Sequence, residues 1–185
     1  MDCWVYQEIL YDTQPEVVVE LGIAHGGNLL FMADIFRCMN RMRTQIVGVD
    51  IDISRASDLK LPGLHLIEGK CQEENVFQKV ASFARGKRTM VIADCDHSKE
   101  HVLEELKRYS PLVSVGCYYI VEDGICDVMG WHPLTGQPVN NQPAPGPQAA
   151  SLEFLAQNRQ FIDDAAVREK YLITYNFNGF LKRIE

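Results

Sequence analysis

The chain of 185 residues carries a formal net charge of −7, which argues against nucleic acid or an anionic membrane surface as its main partner. The length fits one domain with a single core over residues 1–185. We expect neither a membrane span nor a signal peptide, because no long apolar run is present. Six scattered cysteines without a C-x-x-C pair predict reduced thiols in a cytoplasmic protein rather than a disulfide framework or a zinc site (Cys3, Cys38, Cys71, Cys95, Cys117 and Cys126).

The apolar pattern predicts strands that alternate with helices as far as residue 121. Short β-branched runs indicate buried strands, and apolar residues at helical spacing indicate the helices between them. In chain order we predict a helix at 3–11, a strand at 17–21, a helix at about 27–41, strands at 45–51 and 64–68, a helix through Val76, Val80 and Phe83, a strand at 90–94, a helix at 99–109 and a strand at 115–121.

The pattern changes after the fifth strand. Residues 127–150 are rich in proline and glycine, and we interpret them as a lid loop that carries Trp131 and His132. A helix is predicted at about 149–164. Residues 171–175 and 180–184 are predicted to form an antiparallel hairpin that turns at Asn178-Gly179.

Strands that alternate with helices predict an α/β fold with a mostly parallel, doubly wound sheet. In such a sheet, ligands bind outside the carboxyl ends of the strands. The polar residues singled out below all follow predicted strands.

A glycine-rich turn follows the first predicted strand. Glu20 and the glycines Gly22, Gly26 and Gly27 form a strand–turn–helix segment, where free helix N–H groups and bare backbone can meet a ligand. The spacing is not G-x-G-x-x-G, so it favours S-adenosylmethionine over a nicotinamide. Asp50, which ends the second strand, is placed to accept a hydrogen bond from a ribose hydroxyl, with Asp52 as the alternative.

Two acidic clusters end the fourth and fifth predicted strands. Asp94 and Asp96 follow one strand, and Glu122 and Asp123 follow the other. Carboxylates that converge repel one another unless a cation neutralises them, and oxygen ligands suit Mg²⁺. Helix capping by the aspartates and a polar turn at 122–123 are the alternative interpretations.

A general base is predicted beside this metal site. His97 and Lys99 follow Asp96, and either could take a proton from a substrate hydroxyl. Lys99 is favoured, with a pKa lowered by partial desolvation beside a divalent cation.

Several segments resemble the cephalosporin hydroxylase / rhamnosyl O-methyltransferase family of class I methyltransferases. They are V-E-L-G at 19–22 with the glycines at 26–27, V-G-V-D-I-D at 47–52, D-C-D-H-S at 94–98, Y-I-V-E-D at 119–123, L-I-T-Y at 172–175 and G-F-L-K-R at 179–183. More distantly, residues 96–99 and the turn at 69–72 resemble the metal and lysine segment and the adenine-binding turn of catechol O-methyltransferase.

The resemblance implies a Rossmann-like O-methyltransferase that uses S-adenosylmethionine and Mg²⁺ on a small molecule, sugar or glycosylated natural product. It implies a metal site of Asp96, Glu122 and Asp123, with Lys99 or His97 as base. Asn28 stands where the family often has a serine. The implied cofactor contacts are Glu20, Gly22, Gly26, Gly27, Asn28, Asp50, Asp52, Cys71, Gln72 and Asp94.

Three other functions stay open at this point. The segment before the first strand is shorter than is usual in the family, so a catalytically inactive S-adenosylmethionine-binding protein is one alternative, and the oligomeric state, including a homo-oligomer, stays open. A metal-independent methyltransferase is the second, and a nicotinamide-dependent reductase is the third. No 2-His-1-carboxylate iron triad is recognisable, so hydroxylation is not expected.

Overall fold

A seven-stranded sheet forms the centre of the molecule. The computed structural model describes residues 2–129 and 145–185, and in that part of the chain the strand order is β3-β2-β1-β4-β5-β7-β6. The strands are β1 (Val17–Leu21), β2 (Gln45–Asp50), β3 (Leu64–Glu68), β4 (Thr89–Ala93), β5 (Tyr118–Val121), β6 (Phe161–Asp163) and β7 (Phe180–Arg183). The first five run parallel, and β7 is antiparallel to both of its neighbours.

Helices cover both faces of the sheet. In the described residues they are α1 (Asp2–Thr13), α2 (Gly27–Cys38), α3 (Glu74–Ala84), α4 (Lys99–Tyr109), α5 (Cys126–Met129), α6 (Pro147–Gln157) and α7 (Ala165–Arg168), with short 3-10 helices at Ile53–Ala56 and Ser110–Leu112. One core packs α1 and α2 against one face, and the other packs α3, α4 and α6 against the opposite face.

The central strands are apolar throughout because both faces are covered. Every residue of β1 and of β4 is buried, which is the expected pattern for a parallel strand between two helical layers. The predicted α/β fold with a mostly parallel, doubly wound sheet is therefore confirmed, and so are its first five strands in outline.

Two of the predicted elements were too long. The helix predicted at 27–41 ends at Cys38, where a turn with Asn40 at φ +58° follows. The strand predicted at 115–121 begins at Tyr118, because Gly116 adopts φ +80° and the N–H of Cys117 closes a turn on the carbonyl of Ser114.

The carboxyl-terminal prediction was partly wrong. Residues 161–163 form strand β6 rather than the end of a helix, and residues 171–175 form no strand. The antiparallel neighbours of β7 are β5 and β6. The apolar run at 171–175 is a surface segment, since Leu172 is 92% exposed at φ +64°.

The predicted lid falls mostly outside the described residues. Trp131 and His132 belong to residues 130–144, which lie there. The two ends of the predicted loop are helical, in α5 and α6. One oxygen of Asp127 accepts hydrogen bonds from the N–H groups of Gly146 and Ala149, at 3.0 and 2.9 Å, so this carboxylate caps the start of α6.

Candidate functional site

A cavity of about 590 Å³ opens at the carboxyl ends of the parallel strands. It lies beside the neighbouring strands β1 and β4, where the order of the sheet reverses, which is the usual ligand position in a doubly wound sheet. Its volume is typical of small-molecule and cofactor sites, roughly 300–1,000 Å³. Among the predicted cofactor residues, those that line it are Gly22, Asp50, Cys71, Gln72 and Asp94.

The glycine turn is shaped by close contacts within the protein. Gly22 adopts φ +83°, and a Cβ there would lie 2.1 Å from the carbonyl oxygen of Asp94. Gly26 adopts φ +73° at the start of α2, and its Cβ would lie 2.3 Å from Leu59. The expectation that Gly26 leaves space for a ligand is therefore corrected, because Leu59 fills that space. Gly27 has open space around its Cβ position.

Asp50 holds this turn in place. Its Oδ2 accepts hydrogen bonds from the N–H groups of Ile23 and Ala24, at 2.9 and 3.0 Å, while its side chain also borders the cavity. Asp52 instead accepts a hydrogen bond from the N–H of Ser54 at 2.9 Å, and it is not among the lining residues. Of the two acidic candidates, Asp50 is the one placed at the cavity.

Glu20 lies buried beneath the turn. Glu20 is 2% exposed, and the side chain of Asn28 lies near its carboxylate. Burial raises the pKa of Glu20 to about 8, against the effect of Asn28, and the charge of Glu122 raises it further. Glu20 and Asn28 therefore form a pair behind the cavity wall.

Carboxylates from two neighbouring strands converge beside the cavity. Asp94 follows β4 and Asp123 follows β5, and together with His97 they offer ligand atoms within 4.8 Å of one another. The Nε2 of His97 lies 3.6 Å from Oδ2 of Asp123. The pKa of Asp94 is raised, first by desolvation in the crevice and then by the charges of Glu122 and Asp123. This repulsion is what a bound cation would relieve.

Asn176 orients the end of β5. Its side-chain oxygen accepts a hydrogen bond from the N–H of Asp123 at 3.2 Å, where Asp123 adopts φ +55°. Asn176 is fully buried, and its side chain lies near the carboxylate of Glu122. Burial raises the pKa of Glu122 to about 7, and the hydrogen bond from Tyr6 opposes that rise.

Asp96 and Lys99 have other partners. A carboxylate oxygen of Asp96 accepts a hydrogen bond from the N–H of Ser98 at 2.7 Å. The side chain of Ser98 and then its N–H lower the pKa of Asp96. The Nζ of Lys99 lies 2.6 Å from Oε2 of Glu153 in α6. This ion pair raises the pKa of Lys99, so the predicted lowering is not what the structure has.

The loop after β3 supplies the remaining wall of the cavity. Cys71 is buried, and Gln72 places its side-chain amide nitrogen 2.6 Å from Nδ1 of His101 in α4. His101 also lines the cavity. The predicted adenine-binding turn is thus at the cavity, together with a histidine that the sequence did not single out.

Sequence reasoning missed several residues of the site. Nothing in the local sequence marks Tyr6, which hydrogen-bonds to Glu122, or Asn176, which hydrogen-bonds to Asp123. His101 and Glu105 had a usable signal, because side chains four residues apart on a helix share one face.

Comparison with known proteins gives a consistent result. A family model described as rhamnosyl O-methyltransferase/CmcI matches residues 1–184. A rhamnosyl O-methyltransferase of Mycobacterium leprae is 32% identical over 192 residues, which cover 98% of this chain and 77% of that relative.

Two solved structures have the same fold. One is CmcI with Mg and S-adenosylmethionine, at a TM-score of 0.70 and 24% identity, covering 98% of this chain and 70% of that one. The other is MycE, a methyltransferase of the mycinamycin biosynthetic pathway, in complex with Mg and S-adenosylhomocysteine, at a TM-score of 0.65 and 22% identity, covering 97% and 48%. Within residues 2–129 and 145–185, no helix is long and apolar enough to cross a membrane.

Proposed function

The chain belongs to the rhamnosyl O-methyltransferase/CmcI family, and from this premise we propose that it transfers a methyl group from S-adenosylmethionine to a hydroxyl of a sugar or of a glycosylated natural product. One observation supports the proposal above all. A cavity of cofactor size lies next to a group of converging carboxylates, at the point where the strand order of the sheet reverses. The nearest alternatives are a binding protein without turnover and a nicotinamide-dependent reductase.

The cavity is large enough for S-adenosylmethionine, and the residues that border it come in the order expected for its ribose and its adenine. Asp50 borders it from the end of β2, where a ribose hydroxyl can donate a hydrogen bond. Cys71 and Gln72 border it from the loop after β3, at the position proposed for adenine. Glu20, Gly26 and Asn28 lie behind this wall, at the turn and the start of α2. Gly27 has open space around it at the start of the same helix.

The carboxylate group fits Mg²⁺ in its donor atoms. Oxygen ligands suit this ion, and several of its positions are commonly left to water and substrate. Asp94 and Asp123 are the proposed direct ligands, because their oxygens come together with His97. Asp96 and Glu122 remain candidates from the sequence, but each already accepts a hydrogen bond from a protein group. When bound, Mg²⁺ would supply positive charge for a substrate oxygen.

His97 is the proposed general base in place of Lys99. The imidazole of His97 lies beside Asp123, and this carboxylate can orient it. Lys99 is engaged by Glu153, which favours the ammonium and opposes proton uptake. The other residues of the site bind and align the two reactants, which is a main part of catalysis for a direct transfer.

The proposal is tested with a methyl donor carrying a labelled methyl group. The purified protein is incubated with Mg²⁺ and a panel of rhamnosides, other deoxysugar glycosides and catechols, and label transfer is measured. Binding of S-adenosylhomocysteine and of NADPH is measured in parallel by calorimetry. Label transfer to a sugar hydroxyl supports the proposal. Binding of S-adenosylhomocysteine with no transfer to any acceptor favours the inactive binder, and binding of NADPH alone favours the reductase.

A further inference from the structure

A second cluster of metal-ligating side chains lies in the wall of the cavity. Cys71, Cys95, His101 and Glu105 each offer one ligand atom, and these four atoms lie within 4.8 Å of one another. The cluster contains two sulfurs and one nitrogen, so its chemistry differs from that of the carboxylate group at Asp94 and Asp123. Magnesium does not favour such ligands, whereas zinc does.

Three of the six edges of a zinc tetrahedron are matched by distances in this cluster. With Zn–S near 2.3 Å and Zn–N and Zn–O near 2.1 Å, a tetrahedral site has S···S about 3.8 Å, S···N about 3.6 Å and N···O about 3.4 Å. The corresponding distances here are 3.7 Å between the sulfurs of Cys71 and Cys95, 3.5 Å from Cys71 to Nε2 of His101, and 3.2 Å from that nitrogen to Oε1 of Glu105. The contact between Cys71 and Glu105, 2.8 Å, would have to open by about 0.8 Å.

Glu105 supplies an independent argument. Its side chain is 1% exposed, and its second oxygen, Oε2, is buried without a hydrogen-bond partner among the described residues. A carboxylate in a protein interior is costly unless positive charge and hydrogen bonds compensate it. In the part of the chain that the structure describes, only Oε1 of Glu105 has protein partners, Cys71 at 2.8 Å and His101 at 3.2 Å. A divalent cation at the centre of the cluster would replace the positive charge of a protonated His101 and compensate the carboxylate.

The four residues come from three separate parts of the fold. Cys71 lies in the loop after β3, Cys95 in the loop after β4, and His101 and Glu105 one turn apart on α4. The cysteines are 24 residues apart in sequence, so the site has no C-x-x-C motif that would indicate it. This is why the cysteine pattern alone predicted no zinc site.

We propose that Cys71, Cys95, His101 and Glu105 form a structural Zn²⁺ site. Binding releases to solvent the thiol protons of Cys71 and Cys95 and the Nε2 proton of His101, so that His101 binds as the neutral imidazole through Nε2. The ion ties the loops after β3 and β4 to α4 and so fixes one wall of the cavity. Gln72 lies 2.6 Å from Nδ1 of His101, where its amide oxygen, after rotation of the amide, would accept the Nδ1–H of a zinc-bound histidine.

The test uses the full chain, reduced and freed of metal, in excess Mg²⁺ so that the carboxylate group is occupied. Zn²⁺ is titrated by calorimetry, and Co²⁺ is added separately as a spectroscopic probe of thiolate ligands. We expect one Zn²⁺ per chain, a thiolate-to-cobalt charge-transfer band, and a higher melting temperature with Zn²⁺. In Cys71→Ser/Cys95→Ser the affinity should fall at least about 100-fold and the cobalt band should disappear.

Cys3→Ser/Cys38→Ser is the matched control, because it removes two exposed thiols outside the cluster, and it should bind Zn²⁺ like the wild type.

X-ray absorption at the zinc edge of the wild-type protein covers the case in which the cluster variants do not fold. Two sulfur ligands at about 2.3 Å support the proposal. A shell of oxygen and nitrogen only, or Zn²⁺ binding that depends on Cys3 and Cys38, overturns it. Since every readout is metal binding, the result does not depend on methyl transfer.

Discussion

The hydroxyl of Tyr6 in α1 donates a hydrogen bond to the carboxylate of Glu122 at the end of β5. A residue near the start of the chain thereby contacts the carboxylate-bearing edge of the sheet. Both side chains are largely enclosed, and Tyr6 also packs in the core between α1 and α2. Helix α1 thus contributes both to stability and to the arrangement of the site.

Replacing Tyr6 with Phe should therefore destabilise the fold. A hydrogen bond to a charged group contributes about 1.5–3 kcal/mol. Because the pKa of Glu122 is about 7, Tyr6→Phe is expected to lower the free energy of unfolding by about that amount in urea denaturation at pH 8.5, where Glu122 is ionised. Tyr11→Phe in the same helix is the control, because Tyr11 is 65% exposed, and it should change little. In a double-mutant cycle with Glu122→Gln, additive effects of the two changes would contradict the interaction.

Asn176 should control metal affinity without being a ligand. Its side-chain oxygen accepts a hydrogen bond from the N–H of Asp123, and loss of such support typically costs 10–100-fold in metal affinity. We expect Asn176→Ala to weaken Mg²⁺ binding by about that factor, measured by calorimetry in the presence of S-adenosylhomocysteine. Gln148→Ala serves as a control, because Gln148 hydrogen-bonds to Asn178 in the same region. An unchanged Mg²⁺ affinity in Asn176→Ala would argue against the positioning role.

Asp94→Asn and Asp96→Asn separate the two metal-ligand hypotheses. Asp94 is repelled by Glu122 and Asp123, so Asp94→Asn should stabilise the metal-free protein and remove the stabilisation by Mg²⁺. Asp96 hydrogen-bonds to the N–H of Ser98, and Asp96→Asn should retain that stabilisation. Thermal unfolding with and without Mg²⁺ measures both effects. Loss of the Mg²⁺ effect in Asp96→Asn alone would restore the ligand set of Asp96, Glu122 and Asp123.

The fold could be predicted from the sequence further than the site could. Strands such as β1 and β4 are buried on both faces, so their apolar runs identify them locally. The strand prediction failed near the carboxyl terminus because Leu172 and Ile173 are apolar but exposed. At the site, the strand ends indicated where acidic residues would meet. Which carboxylate faces which partner depends on distant residues such as Tyr6 and Glu153, and no local pattern contains them.

The proton acceptor can be identified from pH–rate profiles. If His97 is the base, His97→Gln should lower kcat/KM by about 10²–10⁴-fold and abolish its rise with pH. Lys99→Met should keep that rise, because Lys99 is held by Glu153. Glu153→Gln is the matched variant, since it removes the partner of Lys99 and leaves the lysine in place. A profile that loses its rise in Lys99→Met, but keeps it in His97→Gln, would return the role to Lys99.

Glu20 should make stability depend on pH in a defined direction. Its pKa is raised from 4.5 to about 8 by burial in the folded protein, so the folded state holds a proton that the unfolded state releases above pH 4.5. The free energy of unfolding should therefore decrease as pH rises from about 4.5 to 8. The decrease should be larger than that of Glu20→Gln by up to roughly 2–5 kcal/mol, because the glutamine side chain does not ionise. Urea unfolding at pH 5 and pH 8.5, with metals chelated and no cofactor present, measures this difference. Glu68→Gln, an exposed residue at the end of β3, is the control. If wild type and Glu20→Gln differ by the same amount at both pH values, Glu20 is not protonated in the folded protein.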